Sequence, residues 1–169
     1  MPGAYFITIC TYRRENILGP IIDGKIKLNG LGKIIVREWL KTFQIRENIQ
    51  SDKYIVMPNH FHGIIVLTDN KKGVLQYAPT NKFRSPSQTI GSIVRGFKSA
   101  VTREIKRLDY PFLYSIWQRN YYEHIIRNER ELNRIREYIQ NNSLRWQCDR
   151  ENLEGKPDEI EEKFWKGFI

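Results

Sequence analysis

Cysteine is nearly absent from this chain of 169 residues. The two present, Cys10 and Cys148, lie far apart and in no CxxC or similar pairing. Nothing in that usage calls for an oxidising compartment or a disulfide scaffold. Cys10, inside an apolar run, reads as a small buried hydrophobe. Long apolar runs are also missing. No stretch approaches 18 residues and no signal peptide is recognisable, which argues against a membrane span and points to the cytoplasm. Acidic residues are the minority, 19 against 28 Lys+Arg, for a formal net charge of +9. The imbalance is uneven, because residues 145–169 hold 5 Lys+Arg against 7 Asp+Glu and the preceding 144 hold 23 against 12. A basic body of that kind fits a polyanionic partner, nucleic acid before membrane, since no basic amphipathic anchor stands out. Ordinary solubility charge remains an alternative.

What is present is enough apolar material for a core. Hydrophobic residues make up 40% and aromatics 12%, so one globular domain is expected rather than a disordered chain. In order, Ala4–Thr11 is β-branched and aromatic and reads as a buried strand. Ile21–Ile26 is a short hairpin with Asp23-Gly24 at its turn. From Gly30 to about Ile45, Leu31, Ile34, Ile35, Trp39, Leu40 and Phe43 recur at helical spacing. Asp52–Met57 is a second strand, Pro58-Asn59 a bend, and His60–Leu67 a third strand. Residues 69–84 read as a surface loop. Ser85-Pro86 then starts a helix whose apolar stripe runs from Ile90 to Leu108. Ser115–Ile126 reads as a fourth strand, or as two with a kink. Asn128 caps a last helix, with Glu131 as its capping-box partner, which ends near Asn142. The order β-α-β-β-α-β with an added helix implies an α+β, ferredoxin-like antiparallel sheet with helices on one face. Residues 1–144 form the domain. The tail, 145–169, carries Trp146, Phe164, Trp165 and Phe168 and is expected to fold back onto it.

Two of the three histidines stand two apart, in Ile55-Val56-Met57-Pro58-Asn59-His60-Phe61-His62-Gly63. On a strand, alternate residues share a face, so His60 and His62 point one way and Phe61 the other. Two imidazoles side by side are half of a metal site, or simply two strand histidines beside a turn. On the last helix, Tyr138 and Asn142 are four apart and share a face with Arg134. Tyr12, Tyr77 and Tyr114 also have Asn or Gln four residues on, but only Tyr138 does so inside a capped, periodic helix. Alone, it reads first as a semi-buried packing residue. Together, an amide oxygen and two neutral imidazoles leave open positions on a divalent cation that can polarise a phosphodiester. A nearby tyrosine can then attack phosphorus as a covalent nucleophile. Such an ester keeps the broken bond available for rejoining, which suits strand transfer better than hydrolysis.

Met57-Pro58-Asn59-His60-Phe61-His62, Ile116-Trp117-Gln118-Arg119-Asn120-Tyr121-Tyr122-Glu123-His124 and Tyr138-Ile139-Gln140-Asn141-Asn142 resemble the REP-associated tyrosine transposases. These are chromosomal relatives of the single-strand insertion-sequence transposases with an HUH motif (histidine, hydrophobic, histidine). The resemblance runs from about Ala4 to Asn142. It implies that Tyr138 forms a 5′-phosphotyrosine link and that His60 and His62 are metal ligands. Asn142 would be the third ligand, where insertion-sequence relatives tend to have Gln. It further implies Mg²⁺ or Mn²⁺, single-stranded DNA hairpins as substrate, a nucleoid-associated location, and a monomer or a homodimer that exchanges the tyrosine helix. Arg13, Arg95, Lys98 and Arg119 are phosphate-contact candidates, with solvated charge as the other reading. His124 lacks ligand spacing to a partner and reads as structural. The chain departs from the family in having Asn142-Ser143 where Asn-Pro is common, and in its short segment before the first strand. A domesticated module that binds structured single strands without cutting them remains the alternative function.

Overall fold

Eight apolar residues form strand β1 (Gly3–Cys10), buried along nearly its whole length because it is paired on both edges. The sheet order is β4 (Ile49–Val56), β5 (His60–Leu67), β1 and β6 (Tyr122–Ile126), and every neighbouring pair is antiparallel. With α1 (Gly30–Gln44) and α2 (Ile90–Arg107) as crossovers, this is the expected ferredoxin-like α+β arrangement. The computed structural model describes residues 3–68, 89–110 and 115–168. Beside the sheet, β2 (Ile21–Ile22) and β3 (Lys25–Ile26) make the expected hairpin. Asp23 at φ 51° and Gly24 at φ 70° supply its tight turn.

Alternation along β5 divides the core into two layers. Phe61, Ile65 and Leu67 face α1 and α2, where they join Ile34, Ile35, Trp39, Phe97 and Val101. Ile64 and Val66 face the other way, with Ala4 and Phe6 of β1, toward α3 (Glu129–Asn141) and α4 (Glu159–Lys166). His60 and His62 share this second face. Helix α3 is fastened across it by Leu132, Ile135 and Ile139 beneath and by Arg136 at the side. The Arg136 guanidinium donates to both carboxylate oxygens of Asp52 on β4. Among the described residues, no helix is long and apolar enough to cross a membrane.

Three expectations need adjusting. The Ser85-Pro86 helix start and the 69–84 loop lie outside the described residues. The described helix α2 is capped by Thr89, whose hydroxyl accepts from the Ser92 amide at 3.1 Å. Residues 115–126 are two segments, the second of the alternatives. Thr11 bridges Trp117 and Thr8 pairs with Tyr122, so residues 118–121 oppose only Ile9 and Cys10 and the excess loops out. The Lys98 ammonium steadies this loop by donating to the carbonyls of Gln118 at 2.6 Å and Arg119 at 3.3 Å. At α3, Asn128 caps as expected, but Glu131 reaches back to the Arg127 amide, one residue beyond the capping-box position.

Candidate metal centre and tyrosine site

The site begins with Asn59, in the bend that delivers β5. Its side-chain Nδ2 donates to the carbonyls of Arg14 at 3.1 Å and Glu151 at 2.7 Å, which leaves Oδ1 to accept from His60 Nδ1 at 2.8 Å. The ring proton of neutral His60 is therefore on Nδ1, and Nε2 presents a lone pair. His62, level with Thr8 on β1, has its Nδ1 2.8 Å from the Thr8 hydroxyl. Its Nε2 is buried and, among the described residues, meets no hydrogen-bond partner. Burial, then His60 and Arg150, hold the His62 pKa well below the usual histidine value, so it is neutral and able to ligate. The two rings are 4.5 Å apart and fully buried.

Asn142, just past α3, brings Oδ1 to 3.4 Å from His60 Nε2 while its Nδ2 donates to Asp149 Oδ2 at 2.7 Å. That Asp149 oxygen is 3.5 Å from His60 Nε2, and its partner oxygen accepts from the Glu151 amide at 2.7 Å. Ligand atoms of His60, His62 and Asp149 all lie within 4.8 Å of one another. Nε2 atoms of two imidazoles, a carboxylate oxygen and an amide oxygen thus converge in a buried space, with the Asn142 N–H bracing the carboxylate. Convergence of that kind is repulsive unless a cation occupies the centre. The residues therefore fit a divalent metal, and the outer partners Asn59 and Thr8 hold both imidazoles in ligating orientation. Sequence reading missed Asp149, which lies in an irregular turn seven residues beyond Asn142.

Tyr138 lies on α3 over its own chain's sheet, its ring 5.5 Å from that of His62. Its hydroxyl donates to Glu161 Oε1 at 2.9 Å, and its ring stacks on Phe164 at 3.7 Å and 8°. Glu161 is buried and also accepts from Trp165 Nε1 at 2.8 Å and the Arg150 amide at 3.1 Å. Burial first, then the charges of Asp149 and Glu161, push the Tyr138 phenol far above its ordinary pKa. Both Glu161 and Phe164 belong to α4, so the tail supplies a metal-ligand candidate and a cover for the tyrosine. A cavity of about 470 Å³ runs along the α3–α4 seam, reaching Tyr138 and Asn142 and edged by Arg134, Arg145 and Lys163.

Of the basic candidates, Lys98 and Arg119 meet at the looped-out segment after Trp117, where they line one groove. Arg13 and Arg95 are exposed and line neither that groove nor the metal centre. Arg13 lies over the Tyr12 ring at 5.2 Å. His124 is structural. Its Nε2 is 2.8 Å from Glu131 Oε1, and its ring lies 4.4 Å from that of Phe168.

No family model matches the chain. An uncharacterized protein of Haemophilus influenzae is 42% identical over 152 residues, covering 87% of this chain and 83% of that one. The two belong to one family. A solved REP-associated tyrosine transposase bound to a REP hairpin superposes over 85% of this chain and 68% of its own. The TM-score is 0.59 at 21% identity. The chain has the REP-associated tyrosine transposase fold. A Deinococcus radiodurans crystal structure, of a protein proposed to be a transposase, covers 83% of this chain and 91% of that one. Its 18% identity and TM-score of 0.45 carry no argument.

Proposed function

We propose that this protein is a metal-dependent DNA strand transferase of the REP-associated tyrosine transposase kind, cutting and rejoining hairpin-bearing single strands through a 5′-phosphotyrosine. The observation that carries this is the convergence of ligand atoms from His60, His62, Asn142 and Asp149 beside the ring of Tyr138. Mg²⁺ or Mn²⁺ held there would polarise the scissile phosphate and offset its developing charge. Tyr138 Oη bonds to phosphorus as the bond to the 3′ oxygen breaks, and the phenol proton passes to Glu161, which already accepts its hydrogen bond. The 3′ oxygen leaves as a hydroxyl after taking a proton from solvent, and the reverse reaction rejoins the strand. Arg13, Arg95 and Arg119 would serve as phosphate contacts, and Lys98 would hold the loop that carries Arg119. The packing of α3 on its own chain's sheet supports a tyrosine that serves its own chain in a monomer, and a cytoplasmic place on the nucleoid belongs to the same proposal.

The test is incubation with end-labelled hairpin DNA and Mn²⁺ followed by denaturing gels. An SDS-resistant adduct is expected, lost with chelator and with Tyr138→Phe. Cleavage that survives Tyr138→Phe would sink the mechanism. One observation favours a second reading, a module that holds structured single strands without cutting. The tyrosine hydroxyl is engaged by Glu161 of α4, and all four ligand candidates are buried. Tight hairpin binding with no adduct under any metal would establish that reading instead.

A further inference from the structure

Looping out residues 118–121 leaves a groove of about 490 Å³ between α2 and the 115–119 segment. Lys98, Arg103, Lys106 and Arg119 line it, and none of its lining residues is acidic. The hydroxyl-bearing Ser99, Thr102 and Ser115 stand between them. Lys98 is spent on the Gln118 and Arg119 carbonyls, where it shapes the wall. Arg103 and Lys106 are exposed and have no acidic partner among the described residues. A second observation points to an acceptor ligand. Trp117 is 4% exposed and lines the groove, and its indole Nε1 meets no acceptor among the described residues. Buried donors are nearly always paired, so this one is waiting for an acceptor.

We propose that this groove is a binding site for a run of phosphodiesters in one nucleic-acid strand, held by Arg103, Lys106 and Arg119, the Ser99 hydroxyl and the Trp117 N–H. A free phosphate is too small for it. Ser99 to Lys106 spans seven residues of helix, about 10 Å at 1.5 Å each. Successive phosphates on a strand lie ~3.4 Å apart along a duplex axis and farther when extended, so the row matches several of them. The location also suits a strand bound for the metal centre. Cys10 pairs with His60, and the next residue, Thr11, bridges Trp117, so groove and centre share one end of the sheet on opposite faces. That the strand is DNA rests on the proposed function, whereas the anion site does not.

The experiment is fluorescence anisotropy of labelled oligo(dT) with the full chain, in chelator to stop cleavage, across a series of KCl concentrations. Arg103→Ala/Lys106→Ala is expected to lower affinity about tenfold near physiological salt and to reduce the salt slope by about 1.4. Trp117→Phe, which keeps the ring and removes the N–H, weakens binding several-fold with the slope unchanged. Lys25→Ala/Lys53→Ala removes equal charge elsewhere and serves as the control. The proposal is overturned if Arg103→Ala/Lys106→Ala, folded by circular dichroism, binds like wild type or no worse than the control. It is equally overturned if inorganic phosphate at constant ionic strength competes as well as unlabelled oligo(dT), since the site would then be one for the free ion. The adduct assay separates this from the proposed function. Wild-type adducts with groove variants that bind normally remove the groove alone, and weakened groove variants without any adduct remove strand transfer alone.

Discussion

At the scale of residues, the chemistry turns on which nitrogen of each imidazole is left free. Asn59 and Thr8 engage the two Nδ1 atoms, and the buried Nε2 of His62 has no hydrogen-bond partner among the described residues. Added Mn²⁺ is therefore expected to raise the melting temperature of the wild type. Metal at one hundred times its Kd stabilises a folded state by about 2.7 kcal/mol, which is several degrees for a chain of this size. His62→Gln should abolish the rise. Asp149→Asn should weaken the metal's effect, with an apparent Kd about 10–100-fold higher. Differential scanning calorimetry against metal concentration checks both, and an unchanged rise in both variants would remove the metal centre. The histidine pair was legible because strand alternation is strict and Phe61 between them is plainly a core residue. Asp149 was not, because it follows no period. What places it is the Glu151 amide and the Asn59 side chain, pairings that exist only once the tail has folded.

At the scale of elements, α4 depends on its cap. Asp158 accepts from the amides of Ile160 and Glu161 and pairs with Arg145 at 2.7 Å, which depresses its pKa to about 2. A carboxylate that ionises at about 3.9 when unfolded and lower when folded stabilises the fold above that value. The contribution fades as pH falls through the folded pKa. The stability difference between wild type and Asp158→Asn, measured by urea denaturation, should thus be full at neutral pH and shrink from about pH 4 to about pH 2. A difference that stays constant over that window would show that the charge plays no part. Helix α3 was readable to within a residue because Asn128 and the Leu132–Ile135–Ile139 stripe mark it. The 115–126 strand was not read as one or two. Composition favours extension throughout, and only the register against β1 reveals two residues too many.

At the scale of the molecule, the sheet keeps its helical layers apart, with packing on one face and chemistry on the other. The sheet and α1 pack closely at Gly63, where an added Cβ would stand 2.8 Å from Phe61 Cε1 and 2.9 Å from Trp39 Cζ2. Both rings are fully buried and have nowhere to go. Gly63→Ala should destabilise the protein by about 1–3 kcal/mol in urea titrations. A loss within about 0.5 kcal/mol would mean that the layer has slack. The ferredoxin-like order of strands and helices was readable because each element carried its own period and cap. The stacking of α4 on α3 was not, since the tail's aromatics fit any apolar surface.

The closed cover over Tyr138 carries a kinetic consequence. If the protein acts as proposed, Phe164 and Glu161 would have to withdraw before a phosphate could reach Tyr138, and only the fraction of molecules opened in that way would be competent. The apparent Kd for substrate is then the intrinsic one divided by that fraction. Adduct formation should level off with rising DNA concentration at the speed of uncovering rather than of bond breaking. Phe164→Leu, which gives up the ring stack while keeping bulk, would raise that plateau, and the enzyme would then run at the pace of its chemistry.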